Sequence, residues 1–145
     1  MTPQPVPTEA RVTWVEDLRF VGHASSGHAI VVDASAEKLG PSPMELLLIG
    51  LAGCTAHDVL TILHKKRQAV TSLEVSARAE RAAEPPRVYT AIELEYVVRG
   101  RDLKPKAVED AICLSKGKYC SASAMLEKTA QITTSYRIEE AAGQG

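Results

Sequence analysis

Several absences narrow the class of this protein before any motif is considered. The chain has no block of basic residues and a formal net charge of -1, so a nucleic-acid partner is not expected. It has no uninterrupted apolar run near the roughly 18 residues that span a bilayer, and the longest, residues 44–54, is broken by Glu45, so no membrane partner is expected either. The first ten residues, with Pro3, Pro5 and Pro7, show neither a basic start nor an apolar centre. They do not read as a secretory signal, and a cytoplasmic location is the expectation. There is no internal repeat and no low-complexity segment. Cysteine is scarce: Cys54, Cys113 and Cys120 are widely spread, with no CxxC pair. That argues against a disulfide framework and against a zinc knuckle. In a reducing compartment each cysteine is then either a packing residue or a reactive thiol.

What is present supports one folded domain of mixed α+β type. The 145 residues are 45% hydrophobic, enough to form a core. Residues 1–10 are expected to be flexible, 11–139 to form a single domain, and 140–145 to be loose. Val12, Trp14 and Val15 mark a first strand, Phe20 and Val21 a second, and residues 29–32 a third after a turn at Ser25, Ser26 and Gly27. Ser42 is placed to cap a helix, with Pro43 at its first position and Glu45 at its third, a capping-box arrangement. The helix should run over 43–67. Its first half, with Leu46, Leu47, Leu48, Ile49, Leu51 and Ala52, has almost no polar face, and a helix apolar all round is buried on all sides. A domain this small rarely surrounds a helix alone, which implies a second subunit.

Two long strands follow. Leu73, Val75, Ala77 and Ala79 alternate with polar residues, as do Ile92, Leu94, Tyr96 and Val98, and the connection at Glu84, Pro85 and Pro86 makes them a hairpin. Residues 104–116 read as a helix ended by Gly117, residues 120–128 as a short helix, and 131–139 as a last strand.

Cys54 sits in the apolar helix close to Gly50 and Gly53, each of which costs a helix about 1 kcal/mol relative to Ala. Two readings stand: a packed cysteine beside packing glycines, or a thiol with room beside it for a substrate or another backbone. His57 lies one turn on, where an imidazolium would lower a thiol pKa, although a satisfied histidine is the commoner outcome. Cys54, His57 and Asp58 also read as metal ligands, a weak reading because all three come from one turn. Cys120 opens a helix, where unpaired N–H groups favour a thiolate, unless Ser121 is the capping residue. Cys113, between Ile112 and Leu114, carries no such feature and reads as structural filler.

The run Pro41-Ser42-Pro43-Met44-Glu45-Leu46, followed by Gly53-Cys54 and later by Lys118-Tyr119-Cys120-Ser121 before one closing strand, resembles the OsmC/Ohr family, in its OsmC-like branch. The resemblance implies an OsmC-like fold, with antiparallel sheets wrapped around central helices in an intertwined homodimer. It implies a thiol-dependent peroxidase acting on organic hydroperoxides, with no cofactor and no metal. Cys54 matches the peroxidatic cysteine and Cys120 the resolving one. An external dithiol reductant, of lipoyl or thioredoxin type, would close the cycle. The family also uses an arginine from the N-terminal strands, for which Arg19 stands in the right region with Arg11 as an alternative, and a glutamate before the first cysteine. That glutamate commonly stands ten positions before the cysteine, where this chain has Met44. Glu45 stands nine before, on the far side of a straight helix and roughly 13 Å along its axis, and its role as a helix cap competes with a catalytic one. Two alternatives come from other classes: a non-catalytic OsmC-like dimer holding an apolar small molecule in the Cys54 pocket, and a structural dimer with no pocket.

Overall fold

The computed structural model describes residues 2–142, so the expectation of a loose C-terminus lies partly outside the described residues, at 143–145. The described chain forms six strands and three α-helices in the order β1 (Ala10–Glu16), β2 (Arg19–Ala24), β3 (Ala29–Asp33), α1 (Pro43–Lys65), β4 (Ala69–Arg81), β5 (Tyr89–Arg101), α2 (Pro105–Leu114), α3 (Ser121–Leu126) and β6 (Gln131–Glu140), with a π-helical turn, Ser115–Tyr119, between α2 and α3. It divides into two compact units, Met1–Leu47 and Leu48–Gly145.

The first unit is an antiparallel sheet in the order β1-β2-β3. Asp17, with φ of 49°, turns the chain between β1 and β2, and its carbonyl accepts from Trp14 Nε1 at 2.8 Å. The ladder starts earlier than expected, because Ser25 donates its amide to Glu9 O at 2.9 Å. Every residue of β1 is exposed. After β3 the chain passes against Val31 so closely that a Cβ at Gly40 would collide with the Val31 carbonyl, which requires glycine there. It then enters α1 through the expected capping box: the Ser42 amide donates to Glu45 Oε1 at 3.0 Å and the Glu45 amide donates to Ser42 Oγ at 3.2 Å.

The second unit holds the core. In β5, Ile92, Leu94, Tyr96 and Val98 are buried while Thr90, Glu93, Glu95 and Arg99 are exposed, the alternation read in the sequence. β4 pairs with it antiparallel as a hairpin. β6 lies on the other side of β5, and here the structure corrects the expectation of antiparallel sheets: this pairing is parallel. The connection from β5 runs through α2, the π-helical turn and α3, and a crossover of that length returns the strand in the same direction. β6 extends through Glu140, and the Ala141 amide donates to Gly100 O at 2.8 Å, so pairing continues into the segment expected to be loose.

Two further readings are corrected. Gly117 does not end a helix; it lies inside the π-helical turn, whose five-residue closure, Cys120 N–H to Ser115 O at 2.7 Å, delivers the chain to α3. The first half of α1, expected to need a second subunit to bury it, is left partly open by its own chain. The buried residues of the helix form one stripe of Leu51, Thr55, Val59 and Leu63, while Leu47 and Ile49 are 47% and 58% exposed. Its 23 residues, with a mean hydropathy of 1.8 over the most apolar window, are also long and apolar enough to cross a membrane by length and composition alone, against the expectation that no segment qualifies.

Candidate functional site

The second unit brings Cys54 and Cys120 together, although they are far apart in sequence. Their sulfurs and a carboxylate oxygen of Asp58 all lie within 4.8 Å of one another. Both thiols are free. Cys54 occupies the middle of α1 and is half-buried. Asp58 follows it one turn later on the same helix face, and its side chain is 16% exposed. Neither Gly50 nor Gly53 marks a close approach within this chain, since a Cβ on either would meet nothing within 4 Å; at Gly53 this leaves open space beside Cys54.

Cys120 is itself the N-cap of α3, not a neighbour of a Ser121 cap: its Sγ accepts from the Ser123 amide at 3.4 Å. That bond favours the thiolate, as the sequence suggested, but it does not prevail. Cys120 is 3% exposed, and burial pushes its thiol above the usual range, with the neighbouring Cys54 thiol adding to the rise. Cys113 is exposed on α2 and is not the packed filler expected of it. His57 points to solvent, its side chain 81% exposed and its Nδ1 3.9 Å from Asp58 Oδ1. The three side chains that converge are therefore Cys54, Asp58 and Cys120, whereas His57, the third member of the weak metal reading, stays outside the cluster. Two sulfurs and a carboxylate at this spacing could hold a thiophilic divalent ion as well as undergo thiol chemistry.

Behind the sulfurs lies a chain of buried hydroxyls that sequence reasoning missed. Ser115 Oγ donates to Asp58 Oδ2 at 3.0 Å. Thr55 Oγ1 is 2.8 Å from Ser115 Oγ and 2.7 Å from the Tyr96 hydroxyl. Each hydroxyl has one hydrogen, so the acceptor at Asp58 sets the direction of the whole chain: Tyr96 donates to Thr55, Thr55 to Ser115, and Ser115 to Asp58. Burial raises the Tyr96 hydroxyl above its usual range, which keeps it a donor. The sequence carried one usable signal for this network, the one-turn spacing of Asp58 from Cys54. Nothing local pointed to Thr55, Tyr96 or Ser115, because their meeting depends on α1, β5 and the π-helical turn packing together.

Arg19 and Glu45 belong to the first unit. Three N–H groups of Arg19 donate to carboxylates: to Glu16 at 2.6 Å, Glu37 at 2.7 Å and the buried Asp33 at 3.2 Å. Hydrogen bonds from Ser35 and the Leu39 amide, with that of Arg19, hold the Asp33 carboxyl well below the usual carboxylate range. The Glu45 carboxyl is lowered by its bonds to Ser42.

This chain belongs to the OsmC family: the profile described as "OsmC-like protein" matches residues 35–135. It is 49% identical over 130 residues to Protein YhfA of Escherichia coli (strain K12), covering 90% of this chain and 97% of that one. A solved structure of a hypothetical protein from Aquifex aeolicus VF5 is 30% identical, with a TM-score of 0.86 over 95% of this chain and 100% of that one. An organic hydroperoxide resistance protein OsmC from Legionella pneumophila, described as a predicted redox protein, shares the fold at 12% identity, with a TM-score of 0.66 over 92% of this chain and 98% of that one.

Proposed function

We propose that this protein is a thiol-dependent peroxidase that reduces organic hydroperoxides through a Cys54–Cys120 dithiol–disulfide cycle. The observation that carries the reading is the convergence of two distant cysteines at one point, with the more accessible sulfur on Cys54 and the buried one on Cys120. Cys54 as thiolate attacks the terminal peroxide oxygen; the S–O bond forms, the O–O bond breaks, and the departing alkoxide takes up a proton to leave as an alcohol. Cys120 then condenses with the sulfenic acid, forming the disulfide and water. An external dithiol of lipoyl or thioredoxin type reduces the disulfide by exchange. In this reading Arg19 stabilises the Cys54 thiolate, the role the family resemblance implies, and Glu45 is a helix cap.

The reading includes a single domain over residues 11–139, a homodimer, and a soluble protein of the cytoplasm. The open apolar side of α1 and the exposed Val12, Trp14 and Ile30 of the first sheet support a covering second copy. One observation favours a second reading, a non-catalytic dimer holding an apolar molecule beside Cys54: Arg19 and Glu45 are both engaged by partners of their own unit.

Intact mass after brief exposure to cumene hydroperoxide decides between the two. Cys54→Ser should stay reduced, because serine is a far weaker nucleophile at neutral pH. Cys120→Ser should gain one oxygen and stall, and the wild type should form a Cys54–Cys120 bridge with Cys113 untouched. A Cys54→Ser variant that is oxidised at Cys120 would reverse the roles. Thiols reacting no faster than ordinary cysteine in every variant would leave the binding reading in its place.

A further inference from the structure

The hydroxyl chain ends on a carboxylate beside both sulfurs, and the resolving thiol there is one that burial holds in its protonated form. A condensation between a sulfenic acid and a thiol needs the thiol proton removed and the departing oxygen protonated. We infer that Asp58 is the proton carrier of the resolving step, a catalytic residue that takes the proton from Cys120 and returns it to the hydroxide leaving Cys54. This rests on the proposed dithiol cycle.

The placement fits that role on three counts. A carboxylate oxygen of Asp58 lies within 4.8 Å of both sulfurs, a separation that one water spans where the groups do not meet directly. The other requirement is a fixed carboxylate, and Ser115 Oγ supplies it by donating to Oδ2 at 3.0 Å, at the end of a chain that runs back through Thr55 to Tyr96. Asp58 also lines an open cleft of about 330 Å³ with His57, Thr61, Lys66 and Tyr119, so its proton can exchange with solvent between turnovers.

The step balances. The Asp58 carboxylate accepts the Cys120 proton; the Cys120 sulfur attacks the Cys54 sulfur; the S–S bond forms as the S–O bond breaks. The leaving hydroxide takes the proton back from Asp58 and departs as water. Cys120 is oxidised, the sulfenic sulfur is reduced, and Asp58 is returned unchanged.

The test need not use a peroxide. In a Cys113→Ser background, which removes the exposed thiol, Ellman's reagent places a thionitrobenzoate on Cys54, and attack by Cys120 releases a second, coloured thionitrobenzoate. Asp58→Asn, which keeps an oxygen for Ser115, should slow the second release at pH 7 by on the order of 100-fold, a usual contribution of general-base catalysis. The first release should be little changed. The loss should shrink as pH rises and Cys120 ionises unaided, and Asp58→Glu should recover part of the rate. In the unsubstituted Asp58 protein the pH profile of the second release should show an acidic limb that Asp58→Asn lacks. The other titratable groups around the site are Cys54 on α1, Tyr96 on β5, and His57, Lys65, Lys66 and Tyr119 along the cleft. His57→Ala and Tyr96→Phe should leave that acidic limb in place. A second release equally fast in Asp58→Asn, or slowed equally at every pH, or an acidic limb absent with Asp58 intact, overturns the inference. Failure of the peroxidase reading alone would show as no reaction with cumene hydroperoxide while the thionitrobenzoate result stands.

Discussion

The two sheets of this protein are of equal strand number and opposite character. The β4-β5-β6 sheet carries a continuous buried row, Ile92, Leu94, Tyr96 and Val98, and polar side chains on its outer positions. In the β1-β2-β3 sheet, β1 is exposed throughout, with Trp14 65% exposed, and among its strands' described residues only Val32 and Asp33 are buried. What holds the first unit together in place of a core is polar: Arg19 among Glu16, Asp33 and Glu37, and the Ser42–Glu45 capping box. One unit is stabilised by apolar burial and the other by directional bonds around an uncovered apolar face, the kind of face that the proposed second copy would cover.

The largest effect should come from the buried row. Leu94→Ala should cost about 2–5 kcal/mol in denaturant unfolding, the usual range for a filled core site. Trp14→Asp should leave unfolding of a dilute monomer nearly unchanged but move the protein from dimer to monomer in sedimentation at low micromolar concentration. A wild-type protein that is already monodisperse as a monomer there would remove the explanation for the exposed face.

Acid sharpens the contrast at an intermediate scale. The Asp33 and Glu45 carboxyls are both lowered in the folded state. Their contribution to stability is therefore full above the ordinary carboxylate range and is lost as pH falls through their depressed values. Hydrogen exchange at pH 7 and at progressively lower pH should show β2 and β3 losing protection while β5 keeps it. Simultaneous loss in both sheets would mean that the polar cluster is not what holds the first unit. The smallest effect belongs to His57: with its side chain in solvent, His57→Ala should leave the alkylation rate of Cys54 unchanged, and a several-fold slowing would restore it as the thiol's activator.

Features governed by short-range rules were legible before folding was considered. The alternation of β5, the hairpin to β4, the three N-terminal strands and the capping box all depend on neighbours within a few positions, and each appears where the residues implied. The parallel return of β6 was not legible, because the residues of a strand carry no mark of the direction in which it pairs. Nor was the π-helical turn, since Gly117 satisfies the usual signal for a helix end while tertiary contacts at Ser115 and Cys120 carry the backbone through it.

The sequence by itself determined the strands and α-helices, the cap on α1, and which two sulfurs to compare. Tertiary structure alone decided how those sulfurs differ. A helix N-cap favours the Cys120 thiolate through one nearby amide, whereas burial, which removes water from the whole group, outweighs that bond and keeps Cys120 protonated. The carboxylate beside it, and the hydroxyl chain from Tyr96 through Thr55 and Ser115 that orients it, exist only because three separate segments pack against one another. Contacts of that range leave no periodic trace in a sequence, so only the folded chain brings them into view.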